Sequence, residues 1–96
     1  MIRHTVAFRL THLAGSDGER RFLNDAEVLA TIPGVRNFQQ LRQISAKNKF
    51  HFLFSMEFTD QAAYDNYNEH PVHTAFVRDR WHVEVAEFLE GDYIDL

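Results

Sequence analysis

Hydrophobic positions recur at two different periods along this 96-residue chain, and the switches between them outline its elements. From Ile2 to Leu10 the pattern alternates strictly: Ile2, His4, Val6, Phe8 and Leu10 share one face, Arg3, Thr5, Ala7 and Arg9 the other. A period of two is that of a half-buried strand. Ser16-Asp-Gly-Glu19 then has the form of a capping box, and Phe22, Ala26, Leu29 and Ala30 follow at helical spacing. Pro33-Gly34 ends that helix, because proline cannot continue it and glycine suits the turn beyond. Residues 35–44 alternate weakly and predict a polar strand, and 45–49 a solvated loop. Alternation returns over 50–58, with Phe50, Phe52, Phe54, Met56 and Phe58 facing one way and His51, Leu53, Ser55 and Glu57 the other.

Thr59 or Asp60 caps the next helix, which runs to about Glu69. Pro71 disfavours helical dihedrals at His70 and is itself suited to the first position of a new helix, so the chain turns a corner at His70. The second helix carries Val72, Phe76, Val77 and Trp81 inward. The tail, roughly Phe88 to Ile94, predicts a last strand in which Gly91 marks a bulge or bend. The order is β-α-β-β-α-α-β, with no linker or repeat. It predicts one α+β domain over residues 1–96, an antiparallel sheet with helices on one face.

Composition narrows the partners. Apolar residues make up 45% of the chain and aromatics 14%, nine of them phenylalanine, which predicts a packed core rather than disorder. A net charge of −4 with no basic cluster argues against nucleic acid. The absence of cysteine excludes a disulfide framework, a thiolate zinc site and a cysteine nucleophile. No apolar run approaches the about 20 residues of a membrane span, and the opening strand pattern differs from a signal peptide, so the expectation is a cytoplasmic protein. Neither a nucleophile elbow nor a phosphate-cradling glycine loop occurs.

Six histidines are a large share for this length. His4 interrupts the apolar face of the first strand. His73 stands three residues before Phe76 and four before Val77, so it shares their inward stripe. Tyr67 points inward by its spacing from Ala63 and Tyr64. Three polar rings from three elements thus converge on one interior. They make His73, Tyr67 and His4 the candidate catalytic set of a pocket lined by His70, Phe8, Phe52, Phe54, Phe76 and Trp81. In the first turn of its helix, His73 meets the positive end of the dipole, which favours the neutral, proton-accepting imidazole. The competing reading is a helix corner whose rings serve as packing and caps. His4, His70 and His73 make a poor metal site, since proline interrupts the spacing and no carboxylate is clearly aimed inward nearby, so neither metal nor cofactor is expected. His12, His51 and His82 read as surface or interface residues.

The strand Ile2-Arg-His-Thr-Val-Ala-Phe8, the turn Ile32-Pro-Gly-Val35, the helix start from Phe58 to Tyr64 and the corner His70-Pro-Val-His73 resemble, in that order, the stress-responsive α/β-barrel (Dabb) domain family. The resemblance covers essentially the whole chain. It implies a ferredoxin-like subunit with a four-stranded antiparallel sheet, paired with a second copy into a dimeric α+β barrel lined by Thr5, Ala7, Leu53 and Ser55. Many members have no defined biochemical role, which implies here a homodimeric stress-responsive protein that binds a small apolar molecule. A plant branch of the family closes a linear polyketide by aldol condensation without a cofactor. It implies the alternative, a cofactor-free lyase, cyclase or isomerase with His73 as general base, Tyr67 as hydrogen-bond donor to a carbonyl, and His4 beside them. That branch has a further histidine on the third strand, where this chain has Phe52, and the phenylalanine row there narrows the cavity.

Overall fold

The computed structural model describes residues 1–96. Its elements are β1 (Ile2–Leu10), α1 (Asp17–Asp25), β2 (Arg36–Arg42), β3 (Phe52–Phe58), α2 (Gln61–Glu69), α3 (Pro71–Phe76) and β4 (Val85–Tyr93). A 3-10 segment, Ala26–Thr31, prolongs α1, and a π turn, Val77–Trp81, prolongs α3. The strands form one antiparallel sheet in the order β2-β3-β1-β4. The architecture is the ferredoxin-like α+β sandwich that the periodicity and the resemblance predict. No helix is long and apolar enough to cross a membrane.

Local chemistry places the helix starts. Ser16 Oγ accepts the Glu19 N–H, while the Glu19 carboxylate reaches the Gly15 N–H at 3.2 Å, one residue earlier than in the usual reciprocal box. Asp60, not Thr59, caps α2 by accepting from Ala63 N–H. Gly34 takes φ +92° beneath α2, and a Cβ there would meet the Ala63 Cβ at 3.3 Å. Glycine alone adopts that turn without strain.

Three boundaries differ from the expectation. Asn37 has φ 51° and the β2–β3 register shifts between Arg36 and Gln39, which is why the sequence of β2 alternates so weakly. Phe50 stays outside β3, because Asn48 Oδ1 takes its N–H and Gln43 Nε2 takes its carbonyl. β4 begins at Val85 rather than Phe88, and its irregularity lies opposite Arg9 and Leu10 instead of at Gly91. The Tyr93 ring lies against Gly91, leaving no room for a Cβ.

The helical face of the sheet holds the core. Phe8, Phe22, Phe54, Phe58 and Met56 are all but inaccessible. The Phe8 ring meets those of Phe22, Phe52, Phe54 and Trp81 at centroid distances of 4.6–6.0 Å. On the other face the register sets Leu41, Leu53, Ala7 and Leu89 in one row across all four strands. Leu41 and Leu89 in that row are 45% and 64% exposed, since no helix covers them.

Candidate functional site

A cavity of about 40 Å³ lies between the helical face of the sheet and the helices. Its polar lining is His4, Tyr67, His73 and Glu90, and its apolar lining Val6, Leu29, Phe54, Phe76, Val77 and Trp81. The three candidate rings therefore meet at one cavity, with Tyr67 4.4 Å from His73 and 6.2 Å from His4 between ring centroids. Phe54, Phe76 and Trp81 line it as the periodicity suggests.

His70, Phe8 and Phe52 do not. His70 turns back to cap α3, its Nδ1 accepting the Val72 N–H at 3.1 Å, because a residue ahead of Pro71 is extended and its side chain can reach the free amides of the next turn. Phe8 is sealed among core rings, and Phe52 borders clefts toward the other end of the sheet. With His70 turned away, the set of His4, His70 and His73 is not assembled, and no group of three or more His, Asp or Glu side chains is placed to hold a metal.

His73 Nδ1 lies 3.1 Å from the Asn68 carbonyl. A carbonyl only accepts, so Nδ1 carries the proton and Nε2 keeps a free lone pair. Burial pushes the imidazole pKa below its ordinary 6.5; the Asn68 bond opposes this, His4 adds to it, and Glu90 opposes it. Burial thus favours the neutral imidazole, in the same direction as the dipole expected at the start of α3. A depressed folded-state pKa means that the unfolded chain takes up the proton first as pH falls. Stability present above about pH 6.5 is therefore expected to decline on acidification from there through the lower folded-state value. Urea titrations over this range should show a flatter pH dependence for His73→Gln than for the wild type; identical slopes would show that His73 titrates as it does in the unfolded chain.

His4 is 5% exposed, and its Nδ1 lies 2.5 Å from Asp92 Oδ1. The Tyr64 hydroxyl, 3.0 Å from the same nitrogen, donates to Asp92 at 2.9–3.0 Å. Asp92 thus accepts from both neighbours, which fixes the Nδ1–H tautomer of His4. Sequence reasoning missed Asp92, Glu90 and the part played by Tyr64. The signal was the alternation Phe88, Glu90, Asp92 along the tail. Only the pairing with β1, which sets His4 opposite Asp92 and Val6 opposite Glu90, turns that face inward. His12, partly exposed just beyond the end of β1, is bonded to Glu84 at 2.7 Å.

Tyr67 is 3% exposed, and its hydroxyl has no hydrogen-bond partner in the chain. No fully sealed side-chain nitrogen or oxygen lacks a partner, so this hydroxyl opens onto the cavity. Burial pushes both the Tyr64 and Tyr67 phenols well above their ordinary 10, with Asp92 adding to the effect at Tyr64. Tyr67 is therefore a protonated donor, its ring 4.4 Å from that of His73, whose Nε2 is a free acceptor. Their shared space holds one or two waters, or the polar end of a small molecule.

The model of the stress responsive A/B barrel domain family matches residues 2–95. The chain is similar in structure to a Dabb family protein with a ferredoxin-like fold from Mesorhizobium loti, with 61% identity, a TM-score of 0.98, and coverage of 99% of this chain and 96% of that one. It is also similar to a dimeric ferredoxin-like protein of unknown function from Thermobifida fusca, at 20% identity, TM-score 0.80 and coverage of 98% and 90%. Hydroxynitrile lyase from Passiflora edulis follows at 14% identity, TM-score 0.82 and coverage of 99% and 93%. The last two share the fold alone. No curated protein matches the chain by sequence.

Proposed function

This chain belongs to the stress responsive A/B barrel domain family, and on that premise we propose that it is a homodimer whose subunits each bind a small, largely apolar molecule by seating its polar end in the cavity at Tyr67 and His73. The observation that carries this reading is the Tyr67 hydroxyl, protonated and unpartnered within an apolar wall. A buried hydroxyl without a partner costs about 1–3 kcal/mol, which a ligand oxygen accepting from it recovers. An apolar ligand with one polar end suits this lining. The dimer is supported by the uncovered row of Leu41, Leu53, Ala7 and Leu89, and the Thermobifida fusca protein of the same fold is dimeric.

The test is an NMR titration with a panel of small ketones, alcohols and phenols. We expect saturable shifts around Tyr67 and His73, and at least tenfold weaker binding to Tyr67→Phe. His73→Ala should lose binding while staying within about 1 kcal/mol of wild-type stability, because its Nε2 has no partner in the chain and its one hydrogen bond is to the exposed Asn68 carbonyl. A cost of about 2–4 kcal/mol for His73→Ala, with no binder in the panel, would instead identify a closed helix-corner network.

A second reading rests on the His73 tautomer. An imidazole with a free Nε2 lone pair, its ring 4.4 Å from that of a protonated phenol, is equipped to take a proton from carbon while Tyr67 stabilises the developing oxyanion. Such a cofactor-free lyase, cyclase or isomerase should speed deuterium incorporation next to the carbonyl of butanone in D2O. Equal incorporation by wild type and His73→Ala would sink this reading while leaving ligand binding intact.

A further inference from the structure

Toward the opposite end of the sheet, a cleft of about 450 Å³ opens between the β1–α1 turn, the first turn of α1 and the β2–β3 connection. Glu19 and Arg42 both line it, and neither forms an ion pair with the other or with any other side chain. Glu19 is 6% exposed. One of its carboxylate oxygens takes the Gly15 N–H; the other has no partner in the chain and, since no sealed polar atom is unpaired, faces the cleft. Capping α1 therefore uses only half of this carboxylate. The Arg42 guanidinium lies over the Phe52 ring, 5.2 Å from its centroid, with its donors free of carboxylates. Lys49, the other fixed cation of the cleft, is taken by Glu87. The wall is held in place by Gln43, which donates to the Asn48 and Phe50 carbonyls at 3.0 and 2.7 Å.

A carboxylate this far withdrawn from water is costly unless it is paired or hydrogen-bonded. A guanidinium resting over an aromatic ring, with its N–H donors unpaired by carboxylates, is free to receive a planar anion in two parallel hydrogen bonds. Opposite charges that share a cleft without meeting leave room for a molecule that pairs with both. We propose that this cleft binds a small zwitterion, its ammonium group on Glu19 and its carboxylate on Arg42, with its aliphatic spacer crossing the cleft between them. The site uses none of His4, Tyr67 or His73 and stands independently of the cavity.

The probes are the unbranched ω-amino acids from glycine to 6-aminohexanoate, with butylamine and butyrate as singly charged controls, titrated into the 15N-labelled protein. One member of the series is expected to bind at least tenfold more tightly than either control, shifting amides of Ala14, Asn48 and Phe50. Glu19→Gln keeps a capping side chain and should reduce that affinity about tenfold while leaving butyrate unaffected. Arg42→Gln should weaken both the amino acid and butyrate. Binding of butyrate as tight as that of every amino acid would overturn the proposal in favour of a plain anion site. Absence of saturable shifts up to 20 mM, or equal affinity in Arg42→Gln, would overturn it outright.

Discussion

Phe8→Ala is expected to lose about 3–5 kcal/mol of stability, a large part of what a domain of this size has in total. Phe8 is wholly inaccessible and sits where β1 and β3 face α1 and the π turn, in ring contact with Phe22, Phe52, Phe54 and Trp81. Truncation forfeits its transfer free energy and leaves a void between four rings, three of which are pinned by others: Phe22 by Phe76, Phe54 by Phe38, Trp81 by Phe88. Such a site collapses poorly, and the cost grows with the volume left empty. Urea denaturation should show a lower midpoint at an unchanged slope. Phe50→Ala is the internal comparison. Phe50 is buried but lies outside the core cluster with Lys49 over its ring, and its loss should be markedly smaller. Equal losses at the two positions would mean that the rings around Phe8 repack and that the core is not the interlocked cluster described.

Leu53→Asp is expected to convert the proposed dimer into a monomer of 11.3 kDa. Leu53 occupies the middle of the uncovered row, between Leu41 on β2 and Ala7 on β1, so a partner sheet would seal it from water. A twofold interface presents the same patch on both subunits, and one substitution therefore introduces two buried carboxylates. With no cation in the row to meet them, the penalty should be at least on the order of 4 kcal/mol, or a thousandfold in Kd. Sedimentation at micromolar concentration should find the wild type at twice the subunit mass and the variant at the subunit mass, with its far-ultraviolet circular dichroism retained. A monomeric wild type, or a variant that still sediments as a dimer, would refute the assignment of this face.

The periods of the chain were enough to place most of its elements and the face each would bury. Strict alternation in β1 assigned His4, Val6, Phe8 and Leu10 to the interior, where all four are buried. Pro71 located the helix corner, and Asp60 and Ser16 marked two helix starts through bonds made within four residues of themselves. These features were legible because a dihedral preference, a cap or a one-sided stripe is written in neighbouring residues, and local free energy reads them without knowledge of the rest of the fold. For the same reason His73 and Tyr67, each in register with apolar neighbours on its own helix, were visible as inward rings.

What reaches across the chain was settled by the tertiary structure. His70 has the same ring as His73 but caps α3, because a backbone amide within reach offered a bond the cavity did not. Phe52 lies on the same strand face as Phe54, yet only Phe54 borders the cavity, since the cavity lies over the His4 and Val6 end of β1 and Phe52 pairs with Phe8 beyond it. The polar partners of His4 stand 60 and 88 positions away, at Tyr64 and Asp92, and β4 had to pair with β1 before Asp92 could meet it. Alternation along the tail defined two faces without saying which would be inside. That choice belongs to strand order and register, which depend on the packing of the whole sheet against its helices, and one-residue slippage would have sent both carboxylates to the other side.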